Sequence, residues 1–302
     1  MGVKAFLGFL FFLLVVGLLL VYWFIPLEKI DFKPDYGTSD FLVENLTQED
    51  MQFYPNMRFI NPSISYQIFD CPPQKRQRME DAFKIIQGLT VLSFYPVSGG
   101  EQIQVRCEYT DRVRGDIFIA GEGGPINVTP SGDFYIIEGG EILLIRDSGC
   151  FTPNVAIHEL LHVLGFKHSP NPQKIMYNFS DCDQEIGDDI PSVINTLYNF
   201  PRKPDLVLQN VSASLKGVVL SLNLTVWNHG LASSGEARVA FYTNDKEIGD
   251  FDLPVLDIGQ GSKISWQKTV LLKNFESVIV KIIYSGDELK TDNNRVELKI
   301  KE

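Results

Sequence analysis

One run of eleven residues, from His158 to His168 in HELLHVLGFKHS, constrains this chain more than any other stretch. Its spacing is H-E-x-x-H-x-x-G-x-x-H. On a helix, side chains four apart lie one turn above another on the same face. His158 and His162 can therefore reach one metal ion. Glu159 projects beside that face, where it can take a proton from a water at the metal. Gly165 lets the chain leave the helix, because glycine adopts left-handed angles at little steric cost. The turn can then bring His168 back as a third ligand. Three imidazoles with one open position describe a catalytic zinc site and not a structural one. The sequence holds only four histidines, and three of them are here. Val155, Ala156, Leu160, Leu161, Val163 and Leu164 supply an apolar helix face.

The extended motif resembles that of the metzincin metallopeptidases. Ser169, directly after the third His, makes it most similar to the matrixin branch. Ile175-Met176-Tyr177 resembles the matrixin turn whose Met lies under the zinc, with Asn178 where that pattern has Pro. DDIPSVINTLY, from Asp188 to Tyr198, resembles the last helix of such a domain. SYQIFDCPPQKRQRMEDAFKIIQ resembles its first strand and helix, so the likeness spans Pro62 to Tyr198. It implies an α+β metzincin-like catalytic domain with a twisted mixed sheet and about three helices. It implies one zinc on His158, His162 and His168, Glu159 as general base, and a polypeptide substrate. Gly165 and Met176 are then structural parts of the site, and Tyr177, Asn178 and Phe179 candidates for the primed-side pocket. An extended substrate is expected to pair with an edge strand, for which Ile142 to Ile145 or the preceding segment are the candidates.

Residues 5–25 form 21 residues without a charge. A bilayer-spanning helix needs about 20 apolar residues, and a signal peptide has a shorter core of ~7–15 with a small-residue cleavage site. Tyr22, Trp23, Phe24 and Pro26 suit an interfacial belt. The expectation is an uncleaved signal-anchor transmembrane helix over 1–27, with a cleaved, secreted form as the alternative. Residues 28–61 read as a linker and 62–200 as the catalytic domain. Within that domain, Ser63 to Phe69 reads as a strand and Gln74 to Gln87 as an amphipathic helix ended by Gly88. Strands are expected around Ile103 to Tyr109, Asp116 to Ala120 and Ile142 to Ile145. The glycine-rich Gly121 to Pro125 lacks the Lys-Ser/Thr of a phosphate loop and reads as a turn.

PRKPD ends the pattern, and 201–205 reads as a second linker. Beyond it, alternating segments separated by turns such as NHG and TDNN point to an all-β sandwich over 206–302. PDL, Asn228 to Ala232 and TDNN make this part resemble the CARDB-type immunoglobulin-like domains. That likeness implies attachment or spacing through a protein or cell-surface partner, not catalysis. His229 reads as a loop residue without a partner His.

Cys71, Cys107, Cys150 and Cys182 form no C-x-x-C pair, so a second zinc site is not expected. Two disulfides with three connectivities are open; Cys150 with Cys182 is favoured, because these bracket the histidine helix and the Met turn, which leaves Cys71 with Cys107. No Cys precedes Cys71 to serve as a latency thiol. Sequons at Asn45, Asn127, Asn178, Asn210 and Asn223 agree with an exported chain. The net charge of −11 and pI near 4.9 argue against nucleic acid as a partner. Asp181, Asp183, Glu185, Asp188 and Asp189 form a weak candidate for calcium, since their spacing matches no EF-hand loop. The leading function is a membrane-anchored, zinc-dependent endopeptidase acting outside the membrane. The alternatives are a surface adhesion or scaffold protein with an inactive peptidase domain, and a zinc hydrolase of non-peptide amides.

Overall fold

The computed structural model describes residues 2–24, 29–35, 51–115, 117–146, 149–270 and 277–300. It begins with α1, Val3–Phe24, whose apolar side chains from Phe6 to Leu20 are mostly exposed. A strand follows, β1, Lys29–Asp35. Among the described residues no helix is long and apolar enough to cross a membrane. The transmembrane helix expected over 1–27 is therefore not found among the described residues. Pro26, the side chains of the Tyr22–Phe24 belt and the sequon at Asn45 lie outside the described residues.

The region that holds the histidine motif starts before the expected boundary, with β2, Met57–Phe59, and continues with β3, Ser63–Ile68, and α2, Pro73–Leu89. Pro72 and Pro73 open α2, where a missing amide hydrogen costs nothing. Gly88 does not end this helix but lies in its last turn. Then come β4, Ser93–Pro96; β5, Ile103–Cys107; and a small separate hairpin, β6, Arg112–Arg114, with β7, Ile117–Ile119. β8, Gly121–Ser131, and β9, Phe134–Leu144, are long antiparallel neighbours. α3, Asn154–Val163, and α4, Asp189–Leu197, complete the set. The strands order as β2-β9-β5-β3-β4, all parallel, with β8 antiparallel along β9. The sheet is therefore mixed, and three helices accompany it. Met79, Phe83 and Ile86 of α2 share one core with Leu160, Leu161 and Val163 of α3.

Gly121 to Pro125 is not a turn: it is the first half of β8. Its composition hides a strand because Gly121 and Gly123 answer a close approach by Glu159, far along the chain. The Asp116 to Ala120 strand is confined to β7 and joins the hairpin instead of the main sheet.

The carboxy-terminal region holds β10, Leu206–Lys216; β11, Val219–Asn228; β12, Ala237–Thr243; β13, Lys246–Leu253; β14, Gly261–Thr269; β15, Ser277–Tyr284; and β16, Arg295–Ile300. These form two antiparallel sheets around Leu222, Val226, Val239, Phe241, Val280 and Leu298. β1 is an eighth strand of this sandwich, pairing with both β10 and β16. Residues 28–61 are thus not a plain linker: they supply β1 to one region and β2 to the other. The two regions touch through Phe134, Ile136 and Leu231. Ser131 donates to the Gly230 carbonyl at 2.7 Å, and Lys290 pairs with Asp133 at 2.9 Å. His229 lies at this contact, its Cβ 2.9 Å from where a side chain on Gly132 would start.

Candidate metal centre

The ten residues of α3 are all buried, and α3 carries His158, Glu159 and His162 in its last two turns. The helix ends as a Schellman motif: Phe166 N–H donates to Leu161 and Gly165 N–H to His162, both at 3.0 Å. Gly165 sits at φ +95°, and a Cβ there would stand 2.9 Å from the Met57 Cβ. Both facts demand glycine. The reversed chain returns His168 to the end of α3.

The three Nε2 atoms converge. His162 lies 3.0 Å from His158 and 3.1 Å from His168, and His168 lies 3.2 Å from His158. The Nδ1 of His158 meets the Ile175 carbonyl at 2.7 Å, and that of His162 the Phe166 carbonyl at 2.8 Å. A carbonyl only accepts, so each Nδ1 carries the proton and each Nε2 turns a lone pair inward. Facing lone pairs repel unless a cation lies between them. Tetrahedral ligands about 2.0–2.1 Å from zinc sit about 3.3 Å apart, close to the separations found. Burial lowers all three imidazole pKa values, that of His162 to about 4. All three are then neutral at pH 7, the form that binds metal.

Glu159 is 5% exposed. Burial, with a smaller push from Glu122, raises its carboxyl to about 8. β8 packs directly on it. A Cβ on Gly121 would fall 2.7 Å from the Glu159 Cγ, and one on Gly123 2.4 Å from its backbone carbonyl oxygen. Two glycines two apart on a strand present the same face, and that face lies on α3. Among the described residues β8 pairs with no strand but β9, so it is the sheet edge beside the histidines. This corrects the expectation for Ile142 to Ile145, which lie in and just after the interior strand β9. An open cleft of about 890 Å³ runs between Phe118–Gly123 on one side and Asn178–Cys182 on the other, with the histidines and Glu159 in its floor.

Residues 58–199 match the family model described as Matrixin, and residues 203–296 that described as CARDB. The chain carries a matrixin domain followed by a CARDB domain. Among solved structures it is similar to a CARDB domain from Pyrococcus furiosus in complex with di-metal ions. The identity is 15%, over 32% of this chain and 86% of that chain, with a TM-score of 0.27. No curated protein matches.

In the matrixin domain Met176 is buried, and its carbonyl accepts from Ser169 N–H at 2.7 Å. This bond and the Ile175 carbonyl on His158 tie the Met turn to the first and third histidines. Asn178 and Phe179 line the cleft; Tyr177 does not, and its ring lies 5.9 Å from that of Phe179. Cys71 is bonded to Cys107 and Cys150 to Cys182. The second bond fastens one cleft wall to the loop before α3. The five acidic residues weighed for calcium do not gather: Asp189 pairs with Lys174 at 3.0 Å, and the Asp181 side chain accepts from Cys182 N–H at 2.6 Å. Among the described residues only the three histidines form a group of metal-ligating side chains. The sequence reading missed Gly121 and Gly123; their i, i+2 spacing was the available signal. It also missed Phe53, whose ring stacks on His162 with centroids 6.0 Å apart.

Proposed function

We propose that the matrixin domain is a zinc-dependent endopeptidase. The reading rests on one observation: three converging imidazole Nε2 atoms beside a buried carboxyl, under the free edge of a strand. His158, His162 and His168 would hold the zinc, which when bound supplies Lewis acidity and brings the pKa of water from 15.7 to about 7. Glu159 takes the proton of the attacking water and returns it to the leaving amine. Burial, with Glu122, raises its carboxyl, and a cation held by the neighbouring imidazoles would favour the carboxylate that accepts this proton. β8 offers its unpaired amides and carbonyls to an extended polypeptide, which adds as an antiparallel strand across the cleft. Asn178 and Phe179 border the side chains of that strand.

The protein is further read as membrane-anchored, with both domains outside the membrane and the CARDB domain engaging a protein or surface partner. Supporting this are the uncharged run over 5–25, the exposed apolar side chains of α1, and two disulfides that need an oxidising compartment. The test of catalysis uses residues 29–302. Bound zinc is measured, and an unfolded polypeptide is offered with and without chelator. One zinc per chain with chelator-sensitive cleavage, abolished in Glu159→Ala with zinc retained, is the expected result. Zinc without cleavage of any polypeptide would sink the peptidase reading, and absence of zinc would sink the metal reading as well. Membrane fractionation of the full chain, against one lacking residues 1–28, tests the anchor.

A further inference from the structure

The CARDB sandwich is assembled from two stretches of chain that are remote in sequence. β1 crosses from one sheet to the other in mid-strand. Lys29, Ile30 and Asp31 pair with Lys216, Leu215 and Ser214 of β10. Phe32, Lys33, Pro34 and Asp35 pair with Ile300, Lys299, Leu298 and Glu297 of β16. Among the described residues, the two sheets join only through this strand. Phe32 is 6% exposed and belongs to the sandwich core, and Ile30 packs against that core. Asp35 meets Lys299 at 3.3 Å. Pro34 fits because each half of β1 is paired on one side, so a residue without an amide hydrogen need not break a ladder. The whole matrixin domain is thus inserted between the first and second strands of the sandwich.

We propose that the slot between β10 and β16 is a strand-binding site whose occupant is this chain's own Lys29–Asp35. The amino-terminal helix is then held by the CARDB sandwich through strand pairing, and not by its covalent connection to the matrixin domain. Backbone pairing gives such a site its grip, and the pocket for Phe32 gives it register. A chain cut between β1 and the matrixin domain keeps its helix on the body, so cleavage there does not free the peptidase.

The test places a site for a specific protease within residues 36–50 of the full chain, purified in detergent and then cut. Co-elution of the amino-terminal fragment with the body in native buffer, and its separation in denaturant, is the expected result. Phe32→Asp, which leaves α1 intact, should release the fragment. Release from the unmodified body overturns the proposal. Equal retention in Phe32→Asp also overturns it, since the helix would then be the holding element. Should that variant not fold, hydrogen exchange on the uncut protein decides. Amides of β1 protected like those of β10 and β16 support the proposal, and exchange at loop rates overturns it.

Discussion

Gly123 lies so close beneath Glu159 that a single added carbon would stand 2.4 Å from the Glu159 carbonyl oxygen. The contact is backbone against backbone, so no side chain can swing away to relieve it. Gly123→Ala must lift β8 off α3. Overpacking of this kind costs about 1–3 kcal/mol, and misplacing the edge strand should lower kcat/KM roughly 10- to 100-fold. Gly124→Ala is the control, because a Cβ there meets nothing within 4 Å. Thermal melts and peptide hydrolysis on both variants check this; equal behaviour of the two would remove the close approach as a reason for glycine.

Glu159 makes a prediction about pH in the metal-free protein. Its ordinary value is 4.5, and burial raises it to about 8 in the folded state. Between those values the folded chain holds a proton that the unfolded chain has lost, so this group's contribution to stability falls as pH rises through the window. Gln cannot ionise. Glu159→Gln should therefore be more stable than the parent at pH 8, with the difference shrinking toward pH 4.5. The depressed histidines act oppositely, losing stability on acidification, and they are present in both proteins. Urea unfolding with chelator across this range decides; a constant difference would show that Glu159 is not held protonated.

Local spacing made the histidine site legible, since His158, Glu159, His162, Gly165 and His168 are set by one helix and one turn. The amphipathic pattern likewise made α2 legible through Met79, Phe83 and Ile86. What escaped was whatever depends on distant partners. β8 reads GEGGPINVTPS, a turn by composition, because its glycines serve an approach to a residue some 36 positions onward. KIDFKPD carries a proline and too few residues to alternate convincingly. It is a strand only because edges formed by β10 and β16, far along the chain, accept it. The paired cysteines fell between these cases: residue counting limited their connectivities, and the fold chose one.

The Cys150–Cys182 bond closes a segment containing α3 and the Met turn, with a sequence separation of 32. Loop entropy for that length predicts a loss of about 3–4 kcal/mol when both cysteines become Ala. The Cys71–Cys107 bond spans 36 residues and predicts a similar loss. Only the first borders the cleft. Chelator competition should then show weaker metal retention in the Cys150/Cys182 variant than in the Cys71/Cys107 variant. Equal retention would mean that the cleft-wall bond contributes to stability alone.

Lys75 on α2 holds the exit of β9. Its ammonium donates to the carbonyls of Glu108 and Ile145 at 2.6 Å and of Leu144 at 3.3 Å. Arg78, one turn on, donates to the carbonyls of Cys150 and Phe151 at 2.7 and 2.8 Å. Together they pin both ends of the loop from β9 to α3. Lys75→Met keeps the stem but removes the donor, and losing its bonds to the Glu108 and Ile145 carbonyls should cost about 1–3 kcal/mol, while the Leu144 carbonyl keeps the Glu108 N–H at 2.9 Å. Lys75→Arg should recover only part of that, because a planar fork does not match three carbonyls around a point charge. Thermal unfolding of the two variants, with hydrogen exchange read at Leu144–Arg146, checks both statements. Full recovery by Arg would show that positive charge alone suffices.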